Sequence, residues 1–302
     1  MSSFANLKRN SGKLDKLTKA VEALKSSYDD DSEKYWKPTV DKSGNGMAVI
    51  RFLPTPSQDG DDGLPWAKIY THGFQGPGGW LIDNCRTTLN GDKCPVCEHN
   101  SELWNSGIEA NKEIVRKQKR KLSYISNIYV VSDPKNPENE GKVFLFKYGP
   151  KIFEKITSAM NPEFEDETPM NPFDLWEGAN FKLKIRKVEG YQNYDKSEFD
   201  SPSEFLGSDE ERESVWKKES SLAELVSEKN FKSYDKMKER LNKVLGITSG
   251  TNVGASPKQK MRAEEDDIDS DLGLNEDSES KSEDHSDSDD DLAFFKELAE
   301  ED

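Results

Sequence analysis

The sequence has few of the residues on which secreted proteins and many enzymes depend. Its 302 residues include only three cysteines and three histidines, and an odd, small number of cysteines makes a disulfide framework a poor interpretation. No apolar run approaches the roughly 18 residues that a membrane-spanning helix needs, so we expect no membrane partner. Neither a Gly-x-x-x-x-Gly-Lys-Ser/Thr phosphate loop nor a His-Glu-x-x-His motif is present, so no motif indicates an enzyme.

Positive charge is also scarce, but it is unevenly distributed. The chain carries 43 Lys and Arg against 59 Asp and Glu, a net charge of −16. Residues 263–302 hold 19 acidic side chains and two lysines, so residues 1–262 are nearly neutral, at +1. We interpret the acidic segment as a disordered tail, joined to the body by a small-residue linker at 247–262.

The first 28 residues are basic, with six Lys and Arg against two acidic side chains. Leu14, Leu17, Val21 and Leu24 recur at helical spacing, which predicts an amphipathic helix. The sequence leaves two alternatives open here: a surface helix packed on the body, or an arm that contacts a partner.

From about residue 35 the sequence alternates short apolar segments with turns. We predict strands at 47–53, 122–132, 142–148 and 181–188, and helices at 150–160, 209–227 and 231–245. Because strands predominate, we expect a mainly β fold with helical additions, in a core at 29–246. The glycines at 73, 76, 78 and 79 have no following Lys, and we interpret them as a loop folded around an ion.

The three cysteines lie within 13 residues and predict a metal site. Cys94 and Cys97 have the Cys-x-x-Cys spacing of a zinc knuckle, in which two thiolates face one ion. Cys85 lies nine residues before Cys94, and His72 lies 13 before Cys85. Together they make a His-Cys₃ set, which is a common structural zinc site with all four positions filled by protein.

Two alternatives to this set remain. His99 could be the fourth ligand, although it lies only two residues past Cys97, where its reach is awkward. The other alternative is that the three cysteines bind no metal. His285 lies in the acidic tail and is discounted.

A basic run at 112–121 contains six Lys and Arg and one Glu, and it leads into a predicted strand with Tyr124. Lys119, Arg120 and Lys121 end the run. Phosphates need positive charge and unpaired bases need aromatic rings to stack on, so this cluster predicts a nucleic-acid surface. The alternative is a solvated face.

A second cluster lies at 181–186, where apolar and basic residues alternate. In a strand, this period places Lys182, Lys184 and Arg186 on the face opposite the apolar residues. Tyr191 and Tyr194 follow within a few residues. A third cluster is Phe146 with Lys147.

Seven sequence features together resemble the single-stranded DNA-binding (helix-destabilising) proteins of T-even-like bacteriophages. They are Gly44–Pro54, His72–Phe74, Cys85 with Cys94–Cys97, Lys119–Tyr124, Asp133–Phe144, Trp176–Phe181 and Asn193–Asp195. The resemblance covers roughly residues 35–200. Departures from the family pattern include Asp92-Lys93 before Cys94, isoleucines at 114 and 125, and a Cys85–Cys94 gap shorter by one residue.

The resemblance implies an oligonucleotide/oligosaccharide-binding (OB) fold barrel with a zinc-binding subdomain and one structural Zn²⁺. It implies cooperative, sequence-independent coating of single-stranded DNA in viral replication, recombination and repair, in the cytoplasm of an infected bacterial host. It implies self-association along DNA through Lys8 and Arg9, and recruitment of replication and recombination proteins by the tail. The resemblance also implies that a set of basic and aromatic residues contacts DNA: Arg51, Trp104, Lys119, Arg120, Tyr124, Phe146, Lys147, Tyr191 and Tyr194.

Three classes of function are therefore considered as alternatives. The first is a binding module for single-stranded DNA. The second is a zinc-dependent nuclease, which would need an open metal position. The third is a zinc-containing scaffold whose acidic tail binds basic partners.

Overall fold

The computed structural model describes residues 33–164 and 167–247. The described chain forms two compact units. We call the first the aromatic unit, comprising residues 33–65, 126–187 and 192–220, and the second the cysteine unit, comprising 66–125, 188–191 and 221–247. The basic arm with Lys8 and Arg9, the acidic tail and nearly all of the linker lie outside the described residues.

Strands outnumber helices in the described chain, as expected from the sequence. The strands are β1 (Tyr35–Trp36), β2 (Gly46–Phe52), β3 (Ala67–Gly76), β4 (Gly79–Asn84), β5 (Lys121–Ser132), β6 (Val143–Tyr148), β7 (Phe181–Val188), β8 (Tyr191–Asn193) and β9 (Glu198–Phe199). The helices are α1 (Pro95–Asn105), α2 (Glu109–Gln118), α3 (Pro150–Met160), α4 (Asp209–Trp216), α5 (Leu222–Leu225) and α6 (Tyr234–Leu245). None of these helices has the length and apolar character that crossing a bilayer requires.

Strand pairing within the aromatic unit is mostly antiparallel. Strand β2 lies between β5 and β7 and pairs antiparallel with both, whereas β1 pairs parallel with β6. The hydrogen-bonded order is β1-β6-β5-β2-β7-β8, and no pairing between described strands closes this path. The fold is therefore sheet-rich with added helices, and a closed OB barrel stays a prediction.

Aromatic rings form the core of the aromatic unit. The ring of Phe52 lies 5.7 Å from that of Phe181, 5.7 Å from Tyr148 and 5.8 Å from Phe173. The period-two pattern of β7 places its apolar residues here, and Phe181, Leu183 and Ile185 are all buried. The predicted division of β7 into an apolar and a basic face is confirmed.

The cysteine unit is built on a hairpin where the sequence predicted a loop. Strands β3 and β4 pair antiparallel from Thr71 with Asn84 to Gly76 with Gly79. A Cβ atom on Gly78 would lie 1.9 Å from the backbone oxygen of Lys243, so this turn needs glycine to approach the end of α6. The loop prediction was wrong, because these glycines allow close packing rather than irregular backbone.

The predicted helix at 209–227 is also corrected. Helix α4 begins at the cap Ser208, whose hydroxyl accepts a hydrogen bond from the Glu211 amide, and ends at Trp216. The side chain of Asn127 then bonds both the N–H and the C=O of Ser220, at 3.0 and 2.8 Å. These tertiary bonds take the backbone out of the helix, and a separate short helix follows at α5.

Candidate metal centre and nucleic-acid interface

The cysteine unit brings His72, Cys85, Cys94 and Cys97 together at its core. His72 lies on β3, Cys85 follows β4, and Cys94 caps α1, so that Cys97 lies in the first turn of that helix. Their four ligand atoms all lie within 4.8 Å of one another, and all four residues are buried. The core around them is apolar and includes Phe74, Leu81, Val96, Met237, Leu241 and Val244.

Three of the distances within the set match the edges of a zinc tetrahedron. The Sγ atoms of Cys85 and Cys97 are 3.5 Å apart, and the His72 Nε2 lies 3.5 Å from Cys94 Sγ and 3.6 Å from Cys97 Sγ. Tetrahedral zinc with bonds of about 2.3 Å to sulfur and about 2.0 Å to nitrogen has edges of about 3.5–3.8 Å. Three thiolates and one imidazole can therefore hold such an ion and leave no coordination position open.

A backbone carbonyl fixes the imidazole of His72. The His72 Nδ1 lies 3.3 Å from the Gln118 oxygen, so Nδ1 donates its proton there and Nε2 is the nitrogen that faces the cysteine sulfurs. Such an outer hydrogen bond is usual for histidine ligands of metals. It places His72, rather than the half-buried His99, in the ligand position.

Hydrogen bonds within the set shift the pKa values of the thiols in opposite directions. Hydrogen bonds from Cys85 and Cys97 lower the pKa of Cys94, and hydrogen bonds with Cys85 and Cys94 raise the pKa of Cys97. Burial lowers the pKa of His72, but hydrogen bonds and charge from Cys85 and Cys94 outweigh it and raise the pKa to about 10. A bound cation would favour the thiolate at each cysteine, because only the thiolate is a strong ligand.

The basic run at 112–121 lies on α2 and the start of β5. On α2, Lys112 and Arg116 form ion pairs with Glu109, and Arg116 also pairs with Glu113. Beyond the helix, Lys119 is half-buried and Lys121 is exposed. Neither has an acidic partner in the described chain, so both can offer their charge to a phosphate.

Two other members of this cluster are buried. Arg120 is 8% exposed, and its Nη1 donates to the hydroxyl of Thr87 at 2.8 Å. Its guanidinium lies 4.1 Å above the ring of Tyr70. Tyr124 is also 8% exposed. The structure thus gives Arg120 and Tyr124 internal contacts and leaves little of either side chain for a DNA strand.

Arg51 has no exposed surface. Its Nη2 donates to the backbone oxygens of Asp174 and Ser203, at 2.7 and 3.1 Å, and burial lowers its pKa to about 10 despite the charge of Asp174. These contacts support an internal role, holding two loops of the aromatic unit together. The sequence predicted a DNA contact for Arg51, and the observed burial does not place it where a strand could reach it.

The basic face of β7 is covered by acidic side chains. Lys182 pairs with Asp200 at 2.5 Å and Lys184 with Glu198 at 2.6 Å. Arg186 forms a two-point contact with Asp195, with Nε 2.9 Å from Oδ1. Sequence reasoning missed these partners, although the acidic residues at 195, 198 and 200 follow the strand closely. Lys184 and Arg186, the predicted phosphate contacts on this strand, therefore already have carboxylate partners within the unit.

The remaining predicted contacts differ in exposure. Phe146 is buried and packs edge-on against Trp36 at 5.2 Å, whereas its neighbour Lys147 is exposed. Three aromatic side chains are partly exposed: Trp104, Tyr191 and Tyr194. The ammonium of Lys112 lies 5.7 Å above the Trp104 ring, and the Tyr194 hydroxyl donates to Gln192 at 3.2 Å.

Comparison with known proteins finds relatives that share one description. A family model described as gp32 DNA binding protein like matches residues 44–245. The single-stranded DNA-binding protein of Enterobacteria phage T2 is 38% identical over 242 residues, covering 78% of each chain. That of Enterobacteria phage T4 is 39% identical over 238 residues, covering 76% of this chain and 77% of its own. A third, from Enterobacteria phage RB70, is 41% identical over 103 residues.

Fold and site together define a class of sheet-rich protein built around a buried set of three cysteines and one histidine that can hold a metal ion. Within that class, the chain belongs to the gp32 DNA-binding-protein-like family. The resemblance to T-even phage proteins, inferred from the sequence features, is confirmed.

Proposed function

We propose that this protein binds single-stranded DNA cooperatively and without sequence preference, and that it is not an enzyme. One observation carries the proposal: phage T2 and T4 proteins at 38% and 39% identity, each aligned over about three quarters of its length, are named single-stranded DNA-binding proteins. The lysines without acidic partners support it, because sequence-independent binding depends on charge that is free to meet phosphates.

In this proposal, Lys119 and Lys121 of the cysteine unit and Lys147 of the aromatic unit contact phosphates. Stacking falls to Trp104, Tyr191 and Tyr194, whose rings are partly exposed. Stacking of this kind tolerates any base, since every base has a flat face. We assign Arg51, Arg120, Tyr124 and Phe146 to internal roles that hold these residues in place, because all four are buried.

The metal in this proposal is one Zn²⁺ with a structural role. His72, Cys85, Cys94 and Cys97 would hold it, and it would supply folding free energy rather than chemistry. A zinc nuclease needs a coordination position for water. A ligand set that already offers four protein donors argues against that alternative.

A titration with single-stranded DNA tests the binding proposal. Quenching of the intrinsic tryptophan fluorescence by oligothymidylate, measured at several salt concentrations, should show tight binding that weakens steeply with salt and leaves the DNA intact. Binding that ignored salt, or cleavage of the strand, would contradict the proposal. Duplex DNA of the same length serves as the control for preference.

We also propose that the protein acts in viral DNA replication, recombination and repair in the cytoplasm of an infected bacterium. For the core we propose an OB-fold barrel. We further propose that Lys8 and Arg9 contact the neighbouring protein along a strand. Deleting residues 1–20 should then abolish clustering on long strands and leave binding to a short oligonucleotide nearly intact. Equal losses on both lengths would show that the arm binds DNA instead.

A further inference from the structure

The metal-binding set is hydrogen-bonded to the end of the basic run, at residues 118–121. Two separate chains of contacts make this connection, and both lie within the cysteine unit. Neither is visible in the sequence, because one passes through a backbone carbonyl and the other through the hydroxyl of an unremarkable threonine.

The first connection passes through Gln118, the last residue of α2. Its carbonyl oxygen accepts from His72 Nδ1 at 3.3 Å and from Asn100 Nδ2 at 3.2 Å. His72 and Asn100 are fully buried, so both bonds lie away from water. The orientation of the imidazole therefore fixes the point at which the chain leaves the helix and enters Lys119.

The second connection passes through Thr87, in the short 3₁₀ turn after Cys85. Its hydroxyl lies 3.1 Å from Cys85 Sγ and accepts from Arg120 Nη1 at 2.8 Å. Because the guanidinium can only donate, the hydroxyl proton is left for the sulfur. Arg120 is held on its flat side by Tyr70, whose backbone oxygen accepts from the Cys85 amide at 2.8 Å.

The lysines lie on either side of this anchored arginine. Lys119 precedes it, and Lys121 follows at the start of β5, where it pairs with Thr71 next to His72. Arg120 is buried, whereas Lys121 is exposed and Lys119 is partly exposed. Arg120 is thus the fixed residue, and Lys119 and Lys121 on either side of it keep their charges available.

We propose that Arg120 and Thr87 are positioning residues that transmit the geometry of the metal centre to Lys119 and Lys121. This inference rests on the proposed binding of single-stranded DNA. Arg120 acts through its planar guanidinium, which stacks on Tyr70 and bonds Thr87 at once. Lysine carries the same charge but offers neither the plane nor the fixed fork of donors.

The role of Thr87 is tested by two variants of the full chain, Thr87→Val and Thr87→Ser. Valine keeps the branched shape and loses the hydroxyl, while serine keeps the hydroxyl. Zinc affinity, by competition with a chelator, should fall about tenfold or more in Thr87→Val, as for other partners of metal ligands. At saturating zinc, its affinity for oligothymidylate should also fall, and the log–log salt slope should shrink by up to about 1.4, for two phosphates at about 0.7 each. Thr87→Ser should match the wild type in both measurements.

Arg120→Lys provides the second test, since it decides between anchor and phosphate contact. If Arg120 is an anchor, lysine cannot replace it, and Arg120→Lys should weaken oligothymidylate binding as much as Arg120→Ala does. A phosphate contact would survive in Arg120→Lys, and wild-type binding by this variant would overturn the proposal for Arg120. The same variant decides the matter if Thr87→Val fails to fold.

The two possible failures are distinguishable. If the wild type does not bind oligothymidylate, the proposed function fails. If the wild type binds and zinc-saturated Thr87→Val binds with the same affinity and slope, the connection from metal to lysines is refuted. A fall in zinc affinity alone would show that Thr87 serves the metal and not the DNA surface.

Discussion

At the scale of single residues, a lysine that pairs with an acidic side chain must give up that contact before it binds a phosphate. Lys121 is exposed and has no acidic partner in the described chain, whereas Lys184 pairs with Glu198 at 2.6 Å. Sequence alone treats the two as equal, because both belong to basic clusters near aromatic residues. Only the structure separates them.

This difference predicts unequal salt dependence in two variants that change the net charge equally. Lys121→Ala should reduce the log–log salt slope of single-stranded DNA binding by about 0.7, the value of one phosphate contact. Lys184→Ala should leave the slope nearly unchanged, since Glu198 already neutralises that lysine. Titrations at a series of salt concentrations measure both. Equal slopes in the two variants would place the phosphate track elsewhere.

A buried carboxyl group gives a second prediction at this scale. Glu219 is 2% exposed and neither of its carboxylate oxygens has a hydrogen-bond partner. Burial, and then the charge of Asp59, raise its pKa from 4.5 to about 9. A raised pKa means that the folded state keeps a proton which the unfolded state releases. The group's contribution to stability is therefore complete below pH 4.5 and falls as the pH rises toward 9.

Glu219→Gln should remove this pH dependence, because the amide cannot ionise. At pH 8 the variant should be more stable than the wild type, by at least about 1 kcal/mol, because folding of the wild type at that pH requires Glu219 to take up a proton that the unfolded chain has released. Chemical denaturation at pH 5 and pH 8 measures the effect. Glu210→Gln, on the exposed surface of α4, is the matched control and should change little. A wild type equally stable at both pH values would contradict the assignment.

At the scale of elements, sequence periodicity predicted the faces of a strand but not every helix and hairpin. The alternation in β7 gave its apolar and basic faces correctly, because a strand's side chains alternate whatever surrounds it. The hairpin of β3 and β4 was missed, since the glycines that allow Gly78 to pack against α6 suggest irregular backbone when taken alone. Helices α1 and α2 were not predicted, because their apolar periodicity is weak: on α2, for example, the buried residues are Val115 and Gln118 alone.

The candidate metal site was predictable for a different reason. Ligand chemistry needs particular residue types at short spacing, and Cys94 and Cys97 satisfy that need within one turn. What spacing could not supply is the outer contact of Gln118, which acts through its backbone, or the ion pairs on β7. Those depend on which segments meet in three dimensions.

The metal centre yields a prediction for its own elements, β3, β4, α1 and α6. Removing the metal with a chelator, or changing Cys94 to Ser, should lower the melting temperature and weaken DNA binding together, because the free energy of metal binding contributes to folding. Differential scanning calorimetry and a DNA titration on the same sample measure both. Ser101→Ala, a buried substitution on α1 away from the ligands, is the control. A chelated protein that melted and bound like the native one would contradict the structural role.

At the scale of the whole molecule, charge is divided between a nearly neutral body and a tail of 19 carboxylates. A polyanion resembles a phosphate chain, and the small residues of the linker predict a connection long enough to reach a basic surface. We therefore expect the tail to compete with DNA for the unpaired lysines, most effectively at low salt. The residues Leu292, Phe295 and Leu298 recur at helical spacing, which predicts a segment that folds on docking to a partner.

Truncation after Arg262 tests both properties of the tail. The shortened protein should bind single-stranded DNA more tightly at low salt and melt duplexes at a lower temperature, because the internal competitor is gone. The gain should vanish as salt rises, since screening weakens the tail's hold on the body as well. Loss of binding to replication and recombination proteins should accompany it. A full-length chain with Leu292, Phe295 and Leu298 changed to Ser separates the two effects: it should lose the partners and keep the competition. If truncation changed neither duplex melting nor partner binding, the tail would have no regulatory role.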